Sequence, residues 1–322
     1  MVKNRPGSLK SHFKTRNREL AREIASVERA ADLPSTILIL GESGTGKDRL
    51  ARAIHDVSVR AASPFVRVDA ANLSDELFES ELFGHERGAF TGAIAAKKGL
   101  LEVAEEGTVY LDEVSSLSPA AQAKFLRVLQ EKNFRRLSGV TTHPFRARLI
   151  VSSRRDLAGL VEQGAFRDDF FYRIDVVSIR LPPLSDRPED ILPLARGFAA
   201  RAARAYERPA RRFTKEAERT LVNHPWPGNV RELQHVVEKA VLTAEAAEIG
   251  PADLPAGSLG APESLLSSAV ERRWTLRELT DAYIDETLRR AGGNRSLAAK
   301  RLGVSRKFLW EREKKQAAGS RG

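Results

Sequence analysis

Thr36-Ile-Leu-Ile-Leu-Gly-Glu-Ser-Gly-Thr-Gly-Lys-Asp48 is the stretch on which the reading of this chain turns. Its first five residues form a short apolar run suited to a buried strand, and the residues from Lys47 to Ser58 carry helical spacing. The link between them is rich in glycine. Glycines let backbone N–H groups turn inward around phosphate oxygens, and the N-terminus of the following helix adds partial positive charge. Gly41, Glu42, Ser43, Gly44, Thr45, Gly46 and Lys47 therefore form a candidate phosphate-binding loop, with Lys47 reaching the β- and γ-phosphates. Asp48 stands where the general pattern wants Ser or Thr to hold magnesium.

Outward from this loop, short apolar runs alternate with helical patterns from Thr36 to about Leu181. That order predicts an α/β fold, a parallel sheet with helices on both faces. One of its strands, Thr108-Val-Tyr-Leu-Asp-Glu113, brings two carboxylates to its C-terminal end, where open α/β sheets bind ligands. Asp112 is the expected magnesium ligand and Glu113 the base that polarises an attacking water. Charge developing on a γ-phosphate also needs cations. Arg167, Arg173 and Arg231 are the candidates, and spacing alone leaves each equally readable as a surface ion pair.

The chain has 322 residues, enough for one domain of about 200 residues with smaller appendages. It has no cysteine, which excludes disulfides and thiolate zinc sites. Its apolar runs are far too short to span a bilayer, and its N-terminus lacks a signal-peptide core, so a cytoplasmic location is expected. Residues 9–30 read as one amphipathic helix that carries Leu9, Phe13, Leu20, Ile24 and Val27 on one face. The expected boundaries are a basic N-terminal helix in 1–34, the α/β subdomain in 35–187, an all-α subdomain in 188–249, a Pro/Gly/Ser-rich linker in 250–273, and a last helical module in 274–322.

Charge is concentrated at the end. Residues 292–322 hold nine Lys and Arg against two Glu, within a net charge of +10 for the chain. Such a tail either meets polyanion or is simply solvated. In Gly292 to Lys315, Asn294 and Ser305 are candidate caps and Gly303 a turn, giving two short helices. Ala299, Gly303 and Leu309 fall at helix-turn-helix offsets. Leu276, Leu279, Tyr283 and Leu288 on the preceding helix are expected to pack beneath. A second odd stretch, Glu81-Leu-Phe-Gly-His-Glu-Arg-Gly-Ala-Phe-Thr-Gly-Ala93, has no periodicity and one isolated ring, Phe90. It is either a turn whose Phe returns to the core or a loop presenting Phe90 and Thr91 to another protein.

Together, GESGTGKD, ESELFGHERGAFTGA, GTVYLDEV, FLRVLQEKNFRRLSG, FRDDFFYRIDVVSIRLPPLSDRPEDI and WPGNVREL resemble the AAA+ ATPase domain of bacterial enhancer-binding proteins, the activators of sigma-54 RNA polymerase. The resemblance covers about residues 36–248, and the C-terminal module is similar to the Fis-type helix-turn-helix of the same activators. It implies an AAA+ P-loop three-layer sheet with a helical lid, ATP and magnesium as cofactors, and a homo-oligomeric ring, usually a hexamer. The implied partners are sigma-54 RNA polymerase, upstream double-stranded DNA and, unless the chain is constitutive, a regulatory protein acting in trans.

By the same resemblance, Gly88, Ala89, Phe90, Thr91, Gly92 and Ala93 contact sigma-54, Arg167 and Arg173 are arginine fingers, and Arg231 is a lid arginine that senses nucleotide. Arg306 and Lys307 would meet base edges or phosphates at the start of the recognition helix, with Ser305 at its cap. Arg295, Lys300, Lys314 and Lys315 would lie along the DNA backbone. The chain departs from the family pattern at Asp69, where Asn is usual and a charge would repel Glu113. It departs again at Ser153 and Arg154 in the sensor position, at Ser185-Asp186, at Phe308 and at Glu313. The alternative class is a DNA-binding regulator that uses nucleotide only to control assembly; an intact Asp112-Glu113 pair and loop disfavour it.

Overall fold

The computed structural model describes residues 7–71, 74–254, 274–290, 299, 302–305, 308 and 309. Along the chain, α1 (Leu9–His12) and α2 (Arg18–Ala30) precede β1 (Ile37–Leu40) and α3 (Lys47–Asp56). Then come β2 (Phe65–Asp69), α4 (Asp75–Phe83), the paired strands β3 (Gly84–His85) and β4 (Lys97–Lys98), α5 (Leu100–Val103) and β5 (Thr108–Asp112). They are followed by α6 (Pro119–Glu131), the hairpin of β6 (Asn133–Arg135) and β7 (Thr142–Pro144), β8 (Arg148–Ser153), α7 (Leu157–Glu162), α8 (Asp168–Ile174) and β9 (Val177–Arg180).

The five longer strands form one parallel sheet in the order β2-β5-β8-β1-β9. Successive strand side chains point to opposite faces, so each strand feeds two cores. Leu38, Val109, Leu111, Leu149 and Val151 pack with Phe78, Phe125 and Phe170 on one side. Ile37, Ile39, Tyr110, Ile150 and Ile179 pack with Leu50, Ile54, Leu20 and Ile24 on the other. This is the three-layer parallel architecture read from the sequence. β3, β4, β6 and β7 were not anticipated, because strands of two or three residues carry no detectable period.

The N-terminal segment corrects an expectation. Its five apolar residues are all buried, as their spacing predicts, yet they lie on two helices instead of one. The Asn17 side chain accepts from Leu20 N at 2.9 Å and starts α2 afresh. Just before it, the Thr15 hydroxyl and Arg16 N both donate to the Asp190 carboxylate, at 2.6 and 2.5 Å. A tertiary anchor from the next subdomain thus interrupts a pattern that is locally helical. Arg148, fully buried, donates to the carbonyls of Ala30, Ala31 and Ser35 and closes the C-terminal end of α2.

The second subdomain is built from α9 (Pro188–Ala205), α10 (Lys215–Asn223) and α11 (Asn229–Thr243). It also contains β10 (Arg212–Phe213) paired with β11 (Glu248–Ile249), which the purely helical reading missed. Trp226 stands at its centre, 1% exposed, with Nε1 donating to Leu221 O at 2.9 Å and its ring edge-on to His224. Trp226→Ala is expected to cost about 3–5 kcal/mol of this subdomain's stability, because both ring volume and the Nε1 bond are lost. A chemical-denaturation midpoint within error of wild type would contradict this.

A separate unit begins beyond Pro255. Its α12 (Leu276–Arg290) places Ile284 and Leu288 in a small core with Ala299, Leu302, Val304 and Leu309. Gly303 takes φ +69° at the turn, and the Ser305 hydroxyl accepts from Phe308 N at 3.1 Å, the turn and second cap expected for the hairpin; Asn294, the expected first cap, lies outside the described residues. Leu276 and Tyr283, expected underneath, are 84% and 52% exposed. Leu276 sits about 12 Å along the helix from Ile284, and Tyr283 projects from the other side of α12. Arg295, Lys300, Arg306, Lys307, Glu313, Lys314 and Lys315 lie outside the described residues.

Candidate functional site

The phosphate loop joins β1 to α3 as its sequence requires. Gly44 shows why one of its glycines is obligatory. At φ +79° it lies so close to the second subdomain that an added Cβ would sit 2.4 Å from Gly228 O. The loop carbonyl of Gly44 also accepts from Val230 N at 2.9 Å and Arg231 N at 3.3 Å. Lys47, 6% exposed, donates to Gly41 O and Glu42 O at 2.8 and 3.1 Å and pairs with Glu113 Oε1 at 3.2 Å. The loop thus holds a buried ammonium at the N-terminus of α3, the arrangement that suits a polyphosphate.

The carboxylates meet at the C-terminal ends of β5 and β8. Asp112 Oδ1 accepts from Ser152 Oγ at 2.5 Å and Tyr110 OH at 3.0 Å, and Oδ2 accepts from Arg67 at 2.5 Å. Burial alone would raise the Asp112 carboxyl; the bonds from Ser152, Arg67 and Tyr110 outweigh it and hold the group below its ordinary value. Tyr110 also donates to Asp48 Oδ1 at 2.8 Å. Burial, with Asp112 beside it, pushes the Tyr110 hydroxyl far up, so it stays a donor. Asp48 and Asp112 thus offer oxygen ligands at the mouth of the phosphate loop, the hard donors magnesium takes together with phosphate and water. Among the described residues no group of three or more acidic or His side chains forms an all-protein metal cage.

Glu113, in the left-handed conformation at φ +57°, turns away from the strand. One carboxylate oxygen pairs with Lys47; the other accepts from Arg154 N at 3.1 Å. Asp69, expected to face and repel Glu113, accepts from Ala71 N at 3.0 Å. At the end of β8 it is Ser152, and not Ser153, whose hydroxyl reaches the metal-site carboxylate. Ser153 turns back to Arg155 O at 2.8 Å.

The helical subdomain closes the loop from the other side. Asn229, fully buried at φ +54°, donates to Glu42 Oε2 and Ser43 O at 3.0 and 3.2 Å and accepts from Leu184 N. Arg231 donates to Ser43 Oγ at 3.0 Å, so the candidate lid arginine does reach the phosphate loop. Arg187, 2% exposed, donates to Thr45 O at 2.8 Å, while its Nε has no partner among the described residues. It borders a cavity of about 750 Å³ between Phe13, Thr45, Gly46, Arg49, Phe198 and Arg201. A nucleoside fits this volume beside the phosphate loop. Sequence reading missed Ser152, Arg67, Asn229 and Arg187. Asn229 had a signal, since it lies inside the quoted WPGNVREL.

The Gly88–Ala93 stretch is a surface loop held at its base. Gly88 N donates to Ala93 O at 2.9 Å, and Ala93 is buried. Gly88 and Gly92 take φ +81° and +106° with open space around them. Phe90 is 46% exposed and leans edge-on against His85, whose Nδ1 lies 2.9 Å from the Ser80 hydroxyl of α4. The loop's mount is clasped by the β6–β7 hairpin: Leu137 exchanges backbone bonds with Gly84 and Glu86, and Arg136 binds Glu102 and Glu86. Arg167, at the N-terminal cap of α8, and Arg173, in its last turn, lie elsewhere. Arg167 is exposed and pairs with Asp169 at 2.7 and 3.0 Å; Arg173 donates to Leu129 O at 2.9 Å.

Residues 13–180 match the sigma-54 interaction domain, 185–268 the AAA+ ATPase lid domain, and 275–315 the bacterial regulatory protein Fis family. The chain belongs to the sigma-54 interaction domain family. Among its relatives, the transcriptional regulatory protein ZraR of Klebsiella oxytoca is 43% identical over 85% of this chain and 62% of its own length. The alginate biosynthesis transcriptional regulatory protein AlgB of Pseudomonas aeruginosa is 40% identical over 92% of this chain and 64% of its own. The chain therefore spans less than two thirds of these relatives. Crystal structures of NtrX from Brucella abortus with ADP and with ATP superpose with TM-scores of 0.70 and 0.71. They are 33% and 32% identical, covering 94% of this chain and 68% and 69% of theirs. The α/β region, the helical lid and the C-terminal module thus each match a family model of their own. Among the described residues no helix is long and apolar enough to cross a membrane.

Proposed function

We propose that the chain binds ATP with magnesium and, in a ring of copies bound to upstream DNA, uses hydrolysis to remodel the sigma-54 RNA polymerase closed complex into the open complex. The observation that carries this reading is the pairing of buried Lys47, beside Glu113 at the end of β5, with an exposed Phe90–Thr91 loop one helix away. Lys47 neutralises the β- and γ-phosphates, and the nucleoside lies in the cavity beside Thr45 and Arg187. Asp112 and Asp48 would hold magnesium, which when bound would supply positive charge beside the phosphate oxygens. Glu113 orients water and accepts its proton, once the γ-phosphate has drawn Lys47 away from it. Arg231 follows the phosphates through Ser43.

The route to the loop is short. α4 follows β2 directly and ends at the mount of the loop, with Ser80 contacting His85 and His85 contacting Phe90. A shift of β2 or Glu113 between nucleotide states can reach Phe90 along this path. Glu113→Gln is expected to slow ATP hydrolysis by about 10²-fold or more while keeping nucleotide binding, as checked by phosphate release beside a fluorescent-nucleotide titration. The reading itself is tested with purified chain, ATP, sigma-54 polymerase and a sigma-54 promoter, scored by reactivity of melted thymines. Melting that requires ATP supports it. Hydrolysis without melting, on a promoter carrying the chain's own DNA site, would favour the nucleotide-controlled DNA-binding regulator.

A further inference from the structure

Arg67 has no part in the scheme above, yet it occupies the centre of the site. It precedes Asp69 by two residues on β2, so both side chains leave the same face of the strand. Its guanidinium spans the two carboxylates assigned to the metal: one nitrogen lies 2.9 Å from Asp48 Oδ2 and another 2.5 Å from Asp112 Oδ2. The other oxygen of each carboxylate accepts from Tyr110, and Asp112 Oδ1 accepts from Ser152 as well. The oxygens a hard cation would take are therefore the two that Arg67 holds. Cation and guanidinium compete for them, since two positive groups crowded against the same two oxygens repel each other.

We propose that Arg67 is a resident counter-cation that competes with the divalent metal for Asp48 and Asp112 and transfers to Asp69 when the metal enters. The proposal rests on the ATP and magnesium reading of this site. Arg67 is about half exposed, and ion pairs at that exposure are weak enough to exchange. Residues two apart on one strand are about 6.6 Å apart at Cα, within the sweep of an arginine side chain. Transfer to Asp69 gives the displaced guanidinium a carboxylate on its own strand. It also gives Asp69, a departure from the family pattern, a role together with Arg67. Arg67 acts here as a positioning residue, through the carboxylates it releases.

The test is Mn²⁺ binding to the full chain in the presence of ADP, read from the paramagnetic resonance of free Mn²⁺, with ADP binding followed separately by a fluorescent analogue. Arg67→Met is expected to bind Mn²⁺ about tenfold more tightly than wild type, and Arg67→Lys to fall between them. Asp69→Asn is expected to bind Mn²⁺ more weakly than wild type, because the transferred guanidinium loses its acceptor. In the Arg67→Met background Asp69→Asn should have no effect, a coupling that separate structural roles would not produce. Unchanged or weaker Mn²⁺ binding by Arg67→Met with ADP bound normally overturns the proposal alone, as does an Asp69→Asn effect that persists without Arg67. Failure of the wild-type chain to bind ADP overturns the nucleotide reading, and the proposal with it.

Discussion

Arg167→Ala is expected to lower ATP turnover by about 10³-fold or more while leaving nucleotide binding and ring assembly in place. Arg167 stands at the N-terminal cap of α8, exposed, with the neighbouring Asp169 carboxylate as its bidentate partner. None of its recorded contacts reaches Lys47, Glu113 or the phosphate loop of the same chain. A residue in that position can stabilise charge on a γ-phosphate only in another copy's site. The loss must therefore be complementable. Mixing Arg167→Ala with a Glu113→Gln chain puts an intact finger beside an intact Glu113 in some neighbouring pairs, and turnover should partly return. Rings of Arg167→Ala that hydrolyse ATP at the wild-type rate would remove the finger assignment. So would mixed rings with no recovery, if assembly is confirmed by sedimentation.

Thr91→Ala should separate hydrolysis from its use. Thr91 lies at the tip of a loop whose geometry is set elsewhere, by the Gly88–Ala93 backbone bond and the positive φ of Gly88 and Gly92. Surface substitutions of this kind change stability by within about 0.5 kcal/mol, and ATP turnover should stay within about twofold of wild type. Open-complex formation should nevertheless fall to background, because on the proposed reading the loop contacts a partner and the truncated side chain is lost at the point of contact. Loss of turnover in Thr91→Ala would instead make the loop a structural part of the ATPase. Normal promoter melting would exclude Thr91 from the contact.

Much of this was legible in the chain itself. The strand, glycine loop and helix around Lys47 follow from local rules of period and turn chemistry, and so does the strand that ends in Asp112-Glu113. The choice between a buried and a presented Phe90 was not legible: an isolated ring between glycines satisfies both readings. It was decided by the β3–β4 strands and the β6–β7 hairpin, whose clasp leaves the tip outside any core. The single helix expected over residues 9–30 failed for a related reason. Asp190, more than 170 residues away in sequence, captures Thr15 and Arg16.

The sequence by itself determined the alternation of the five longer strands with helices, the phosphate loop, the paired carboxylates and the family, because each depends on residues adjacent in the chain or at one helical or strand period. Only the tertiary structure decided which side chains meet at the site: Arg67 across Asp48 and Asp112, Ser152 in place of Ser153, and Asn229 and Arg187 against the phosphate loop. Those contacts join residues from 19 to 187 positions apart. No local period encodes them. They exist because parallel strands bring distant C-terminal ends to one edge, and because the helical subdomain packs its Asn229 turn onto that edge.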